Sequence, residues 1–152
     1  MTPRLRLRAT DPQDMATIAT ILQDAIVPVS EIAYVPAERQ FVAVVQRFRW
    51  EQAGELVDGK PVYERINCGL VFKQVKAVKQ RGIDPRVDSG ARDSMLELLT
   101  IQVEPGAAVL LFAGAAAIRL DLAALDCHIE DIGEPWPTPR KPGHEAAETT
   151  GA

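Results

Sequence analysis

Three arginines are the residues whose types and spacing could bind an anion. Arg47 and Arg49 are two positions apart in "QRFRWE", and Arg65 follows in "YERINCGLVF". Residues two apart in a strand point to one face, so we expect the side chains of Arg47 and Arg49 to lie side by side. If the strand that carries Arg65 is a neighbour, the guanidinium groups form a basic strip, extended by the arginines at positions 4, 6 and 8.

Such a strip has two interpretations that the sequence leaves open. Guanidinium groups bind phosphates and carboxylates through paired hydrogen bonds, so the strip could receive an anionic ligand or an acidic protein. It could equally form ion pairs within the chain with Asp121, Glu130 and Asp131, which is the interpretation we favour. Few aromatic residues accompany the arginines, which weighs against a surface for single-stranded nucleic acid.

The carboxylates of Glu130 and Asp131 are the candidates for acid–base chemistry. A carboxyl group acquires a suitable pKa in apolar or like-charged surroundings, whereas neighbours in an extended chain point to opposite sides. We therefore expect a solvated acidic segment and assign no catalytic residue. The alternative hypothesis is a small enzyme in which Arg47, Arg49 and Arg65 bind an anionic substrate and Glu130 or Asp131 transfers a proton.

The cysteines and histidines do not have the spacing of a metal site. Cys127 and His128 are adjacent, so in a strand they point to opposite faces, and no CxxC or HxxxH pattern includes Cys68 or His144. Cys68 lies in the apolar segment "NCGL", where burial makes a thiol unreactive. We predict two reduced, buried thiols, no metal and no cofactor.

Composition predicts a single globular domain. The chain has 152 residues, 47% of them hydrophobic and 25% charged, which suffices for one sizeable core. The net charge is -4, with a basic excess before residue 87 and an acidic excess after it, so a nucleic acid is the least favoured partner. The longest apolar run, "AVLLFAGAAAI", is too short to cross a bilayer, and we expect a cytoplasmic protein without a membrane partner.

The periodicity predicts an α+β fold: one N-terminal helix packed on a mostly antiparallel sheet of about eight strands, which could curl into a roll or partial barrel. The helix is expected over "TDPQDMATIATILQDAI", with a cap at Thr10 or Asp11 and a stop at Pro28. "EIAYVPAERQFVAVVQRFRWE" predicts a hairpin, and two further strands are separated at Lys73-Gln74. "GIDPRVDSGARD" predicts a polar loop, followed by a meander of three strands.

The end of the sequence predicts an extended arm rather than a site. We expect the domain to occupy residues 1–132, with Ile129 and Ile132 pointing inward and the acids near the rim. Residues 133–152 contain several prolines, which favour a partly disordered, polyproline-like arm. Trp136 has the apolar area to dock on the domain or on a partner copy. Order is expected to fade after Arg140, leaving His144 in a disordered tail.

Four segments of the sequence resemble a small proteobacterial family of unknown function, domain-of-unknown-function family 2948. They are "LQDAIVPVSEIAYVPAERQFVAVVQRFRWE", "CGLVFKQVKAVKQRGID", "LELLTIQVE" and "FAGAAAIRLDLAALDCHIEDIGEPWPT". The resemblance covers roughly Leu5 to Pro139, with the blocks in the same order. It implies no activity, cofactor or site residue.

Together these observations favour a non-catalytic binding or assembly module of unknown function. Its partner could be a second copy of the chain, because closed dimers are the commonest oligomers, an unknown protein, or an anionic ligand. The alternatives are the small enzyme with an arginine-lined pocket and, less favoured, nucleic-acid binding through the arginine strip.

Overall fold

The computed structural model describes residues 4–52, 54–83 and 94–139, and in these ranges the chain forms one α-helix and eleven β-strands. The helix α1 spans Pro12–Ile21. The strands are β1 Arg6–Ala9, β2 Ile26–Pro28, β3 Ile32–Val35, β4 Gln40–Phe48, β5 Glu55–Val57, β6 Lys60–Phe72, β7 Val75–Arg81, β8 Met95–Glu104, β9 Ala107–Phe112, β10 Ala117–Leu122 and β11 Cys127–Thr138.

The strands pair in antiparallel fashion in the order β1-β11-β6-β4-β2-β8-β9-β10-β7, with β3 added to β4 and β5 added to β6. The sheet is open, with β1 and β7 at its two ends. It nevertheless curls, because the Val75 amide donates to the Arg39 carbonyl at 2.9 Å and brings the start of β7 back to the β3–β4 hairpin. The expected antiparallel sheet with one helix is confirmed, and the sheet is a curled, open one.

The structure has eleven strands where the sequence predicts about eight. Two of the short strands lie in segments predicted otherwise, one in the expected helix and one in "AGELVDGKPV", whose turn residues predict a loop. Residues 26–28 continue the apolar stripe of the helix in sequence, but α1 ends at Ile21 and the chain turns at Asp24, which has a φ of 64°. Ile26–Pro28 then forms β2, so the predicted stop at Pro28 is wrong. Glu55–Val57, predicted to be loop, forms β5 across the Asp58-Gly59 turn from β6.

The helix begins where the sequence predicts. The carboxylate of Asp11 accepts a hydrogen bond from the Asp14 amide at 2.8 Å, and a proline follows the cap directly, as the first turn of a helix favours. Met15, Ile18 and Leu22 are buried, so α1 covers the concave face of the sheet. One hydrophobic cluster joins this helix to both halves of the curled sheet, including Phe41 and Leu120.

The last strand extends further than the sequence predicts. Strand β11 continues to Thr138 and pairs again with β6 after a bulge, with Trp136 opposite Arg65. Beyond β1 this part of β11 is an edge, where proline is tolerated because one side of the strand needs no hydrogen-bond donors. The Pro-rich arm predicted from residue 133 is therefore not confirmed. The predictions for order after Arg140, for His144 and for most of the polar loop, residues 84–93, lie outside the described residues.

Within the described ranges, no helix combines the length and the apolar composition needed to cross a membrane.

Candidate functional site

Arg47 lies at the polar end of the core face of β4, and Arg49 directly follows Phe48, the last residue of that strand. Burial alternates along this strand, and Arg47 follows Phe41, Ala43 and Val45 on the face that α1 covers. Both arginines are 1% exposed. This arrangement is consistent with the prediction that the side chains of Arg47 and Arg49 share a face. That face is buried, and a buried ion needs partners to offset its desolvation.

All five N–H groups of the Arg47 guanidinium have acceptors. Nε and Nη2 donate to the two carboxylate oxygens of Asp131 at 2.7 and 2.8 Å. Nη1 and Nη2 donate to the carboxylate of Glu51 at 3.0 and 2.8 Å, and Nη1 also lies 3.3 Å from the Phe48 carbonyl. A guanidinium offers five donors, so Arg47 has none left for a ligand.

Asp131 belongs to the same buried network. The residue is 3% exposed, on β11, and its Oδ2 also accepts from the Leu5 amide at 2.9 Å. Burial on its own raises the pKa of this carboxyl, but the hydrogen bonds from Arg47 and Leu5 outweigh burial and hold the pKa below its ordinary value. The prediction of a solvated acidic segment is wrong for Asp131, whereas its neighbour Glu130 is exposed.

Glu51 closes the network from the side of the solvent. Its side chain is 47% exposed, and it lies in the short 3-10 turn Trp50–Gln52 that follows β4. The hydrogen bonds from Arg47 lower the pKa of Glu51. Arg47 thus links three segments: β4, this turn and β11.

Arg49 is held less completely. Its Nη1 donates to the carboxylate of Glu64 on β6 and to the side-chain oxygen of Gln52, the latter at 2.8 Å. Its Nε is buried and has no hydrogen-bond partner among the described residues. A carboxylate oxygen of Glu51 lies 4.0 Å from this Nε, which is too far for a hydrogen bond.

Trp50 carries a second buried donor without a partner. Its ring packs edge-on against Phe48, with centroids 4.7 Å apart, and its indole Nε1 has no acceptor in the part of the chain that the structure describes. A buried donor without an acceptor costs about 1–3 kcal/mol. Two consecutive residues, Arg49 and Trp50, thus each have a buried N–H group without an acceptor among the described residues.

The two residues line one pocket of about 710 Å³. It lies where β1, α1 and the Trp50–Gln52 turn meet. Its lining combines apolar groups from three elements with the polar ends of the arginine network: Arg4, Leu5, Ile21, Arg47, Arg49, Trp50, Glu51 and Gln52. A pocket of this size with a few convergent polar groups is the ordinary form of a small-molecule site.

Arg65 does not belong to this pocket. It lies opposite Phe48 in the β4–β6 register and therefore on the other face of the sheet from Arg47. Its Nη1 donates to the Gln46 carbonyl at 2.9 Å, and its guanidinium lies 5.9 Å from the centre of the Phe48 ring. Burial lowers the pKa of Arg65. The three arginines thus do not form one strip on one face.

Two of the exposed arginines in the β1 region, Arg4 and Arg8, pair within the chain. Arg4 lies 3.5 Å from Glu134, and Arg8 lies 2.9 Å from Asp126. The hydrogen bond from Arg8 lowers the pKa of Asp126. Of the acids expected to pair with the arginine strip, Asp131 does so, whereas Asp121 pairs with Arg119 on β10.

The cysteines are free and buried, and burial raises the pKa of Cys68 to about 12. His128 is half-buried on β11, on the opposite face from Cys127. Among the residues that the structure describes, no group of three side chains could hold a metal ion.

Sequence reasoning missed the turn that carries Trp50 and Glu51, and it missed Glu64. One signal was available: Arg47 and Glu51 are four positions apart, the spacing at which ion pairs form in a helical turn. The unpaired donors could not be predicted, since they depend on where the turn places each N–H group.

Comparison with known proteins identifies a family but does not indicate an activity. The family model described as "Protein of unknown function (DUF2948)" matches residues 5–144. No curated protein and no solved structure matches the chain. The match spans most of the sequence and agrees with the resemblance of the four segments. The chain therefore belongs to the DUF2948 family, whose function is unknown.

Proposed function

We propose that this chain is a non-catalytic binding module that holds a small ligand in the pocket beside Arg49 and Trp50. The observation that carries the proposal is the pair of buried donors, Arg49 Nε and Trp50 Nε1, which have no acceptor in the described ranges and belong to the wall of one pocket. Acceptor atoms on a ligand would satisfy these donors and recover the cost of leaving them unpaired.

Access requires a small movement of the wall. Both nitrogen atoms are covered by neighbouring atoms, so an oxygen reaches them only after a local movement of the pocket wall, and we propose that the Trp50–Gln52 turn makes this movement. This turn is a single 3-10 segment whose Glu51 is 47% exposed. Short exposed segments of this kind open at lower free-energy cost than the core strands.

The carboxylates near the pocket support binding rather than catalysis. A general base works best with a pKa near the operating pH. Hydrogen bonds from Arg47 hold the pKa of Glu51 and of Asp131 below ordinary carboxylate values, so neither group is a good proton acceptor at neutral pH. The enzyme alternative has a pocket with two of its three arginines, but it has no poised base there.

The indole N–H signals of the protein provide a direct test. The chain has 2 tryptophans, and in a ¹⁵N-labelled sample each gives one indole signal. Fragments that carry an acceptor oxygen should shift the signal of Trp50 and leave that of Trp136 nearly unchanged, because Trp136 lies on β11 outside the pocket lining. A Trp50→Phe variant keeps the aromatic ring and removes the donor. Its binding is followed by the backbone amide signals of Glu51 and Gln52, and the loss of one hydrogen bond of about 1 kcal/mol should weaken it about fivefold.

A matched Trp136→Phe variant serves as the control and should bind as the unmodified chain does. If neutral, carboxylate and phosphate fragments at roughly millimolar concentration, where weak fragments bind, all leave the Trp50 signal in place, the proposed function is wrong.

We also propose that the protein acts in the cytoplasm and can self-associate. Two free, buried thiols fit a reducing compartment. Among the described residues, β1 and β7 each pair with only one strand, and Leu56 and Val57 near the β5–β6 turn are 65% and 55% exposed. Light scattering after size-exclusion chromatography should give twice the chain mass at high micromolar concentration, and a strict monomer would contradict self-association.

A further inference from the structure

The charges around the pocket indicate which class of ligand it holds. We infer that the ligand is an electrically neutral molecule with a carbonyl or hydroxyl oxygen and an apolar body, and that the pocket does not select an anion. This inference rests on the proposed function and differs from the anionic ligand that the arginines suggest in the sequence.

The first step is the balance of charge in the network. Its cations are Arg47 and Arg49, and its anions are Asp131, Glu51 and Glu64. Two positive charges therefore face three negative ones. At the rim, Arg4 is accompanied by Glu134 at 3.5 Å and adds no net charge. An incoming carboxylate or phosphate would add negative charge to a cluster that is already negative.

The second step is the state of the donors that an anion would use. Arg47 has all five of its N–H groups bonded, four of these bonds going to carboxylate oxygens. Bidentate recognition of an anion needs two parallel N–H groups of one guanidinium, and Arg47 has no free pair. On Arg49, Nη1 already donates to Glu64 and Gln52. The other edge of this guanidinium, formed by Nε and Nη2, already has the Glu51 carboxylate 4.0 Å from Nε, so an anion bound there would meet that negative charge.

The third step is the kind of acceptor that the remaining donors fit. Arg49 Nε and Trp50 Nε1 each carry one N–H group on a different side chain, and neutral carbonyl and hydroxyl oxygens accept hydrogen bonds from such groups. The Glu51 carboxylate lies 4.0 Å from Arg49 Nε, so any acceptor bound to this Nε lies close to it. A neutral oxygen can occupy that position without placing a second negative charge beside Glu51. Like charges at short range in a partly buried site repel strongly.

The fourth step is the remainder of the lining. Leu5, Ile21 and the ring of Trp50 contribute the apolar part of the wall, so the body of the ligand should be an alkyl or aromatic group. Amides, ketones and alcohols with such a body meet both requirements.

Three probes with one ring and different charge test the inference: benzamide, benzoate and phenyl phosphate. Binding is followed by the Trp50 indole signal in titrations of the full chain at pH 7. We expect benzamide to bind at least about fivefold more tightly than benzoate, and phenyl phosphate to bind most weakly because it carries the most negative charge. Benzoate or phenyl phosphate binding as tightly as benzamide would overturn the ligand class while leaving the proposed function intact.

If none of the probes shifts the Trp50 signal, both the proposed function and the ligand class fail. The electrostatic reason is tested separately with Glu64→Gln, whose side chain is 26% exposed. Removing this negative charge should tighten benzoate binding several-fold relative to benzamide binding. Glu51→Gln, at a more exposed position, provides a second variant should Glu64→Gln fold poorly. An equal response of benzoate and benzamide to both changes would overturn the charge argument.

Discussion

Replacing Asp131 by asparagine should destabilise the fold more than the similar size of the two side chains suggests. The carboxylate of Asp131 accepts from Arg47 Nε, from Arg47 Nη2 and from the Leu5 amide. Asparagine keeps one acceptor oxygen, and in its better orientation this oxygen takes the place of Oδ2 and keeps two of these bonds. Its NH₂ group then faces Arg47 Nε, so Asp131→Asn leaves one buried donor facing another and removes the charge that compensates Arg47.

The expected loss is large for a single atom. Each unpaired buried donor costs about 1–3 kcal/mol, and removal of one partner from a buried ion pair costs about 3–5 kcal/mol. Glu51 still compensates part of the charge of Arg47, so we expect a decrease of about 3 kcal/mol in the free energy of unfolding. In a domain of this size that lowers Tm by roughly 10 °C.

Urea denaturation followed by circular dichroism measures this change, with Glu51→Gln as the matched control. Glu51 also bonds to Arg47, but its side chain is 47% exposed, and exposed ion pairs contribute about 0–1 kcal/mol. A loss below about 1 kcal/mol for Asp131→Asn, no larger than that for Glu51→Gln, would show that the buried network does not hold β11 in place.

The same variant changes the response to acid. The pKa of Asp131 in the folded chain lies below its ordinary value, so its contribution to stability is fully present above the unfolded pKa of about 3.9 and is lost as the pH falls through the folded pKa. As the pH falls below about 4, the free energy of unfolding of Asp131→Asn should therefore decrease less steeply than that of the unmodified chain. Parallel curves would contradict the assignment.

Two further predictions use glycines and thiols. Gly82 has a φ of +80°, and an added Cβ would lie 3.1 Å from the Ala116 Cα, so Gly82→Ala should cost about 1–3 kcal/mol in urea denaturation. Gly69→Ala is the control, because the atom nearest to its new Cβ is the end of the exposed Ile132 side chain, at 3.3 Å. This change should alter stability by less than about 0.5 kcal/mol, and equal losses for the two variants would refute the backbone argument. Both cysteines are buried, so a thiol reagent should label the native chain far more slowly than the denatured one, and rapid native labelling would contradict their placement.

The alternation of residues predicted part of the site. In "FVAVVQRFRW" it placed Arg47 and Arg49 on one face, and in "IEDI" it separated Glu130 from Asp131, which the structure places outside and inside. It could not say which face of β4 is buried, because both faces begin with apolar residues. The inward direction expected for Ile132 is wrong: Ile129 and Asp131 point inward, so the period of two turns Ile132 outward, where it is 47% exposed.

Long-range register determined what the sequence could not predict. The face of Arg65 follows from its pairing with Phe48 across β4 and β6, and no local pattern records that pairing. Prolines at positions 135 and 137 argued against a strand, yet β11 tolerates them as an edge. Ile26 continued the helical stripe in sequence, but the turn at Asp24 directs it into β2.

The pairing of β1 with β11 makes the pocket a product of the two ends of the domain. β1 pairs only with β11, and Leu5, which lines the pocket, bonds to Asp131 across 126 positions of sequence. Contacts of such long range carry a large loop-closure cost, so we expect them to form late in folding. Under the proposed function, a polypeptide that has folded only its central hairpins would lack a complete ligand site. A ligand that binds only the finished pocket would stabilise that last step by mass action, and so would favour fully folded chains over partly folded ones.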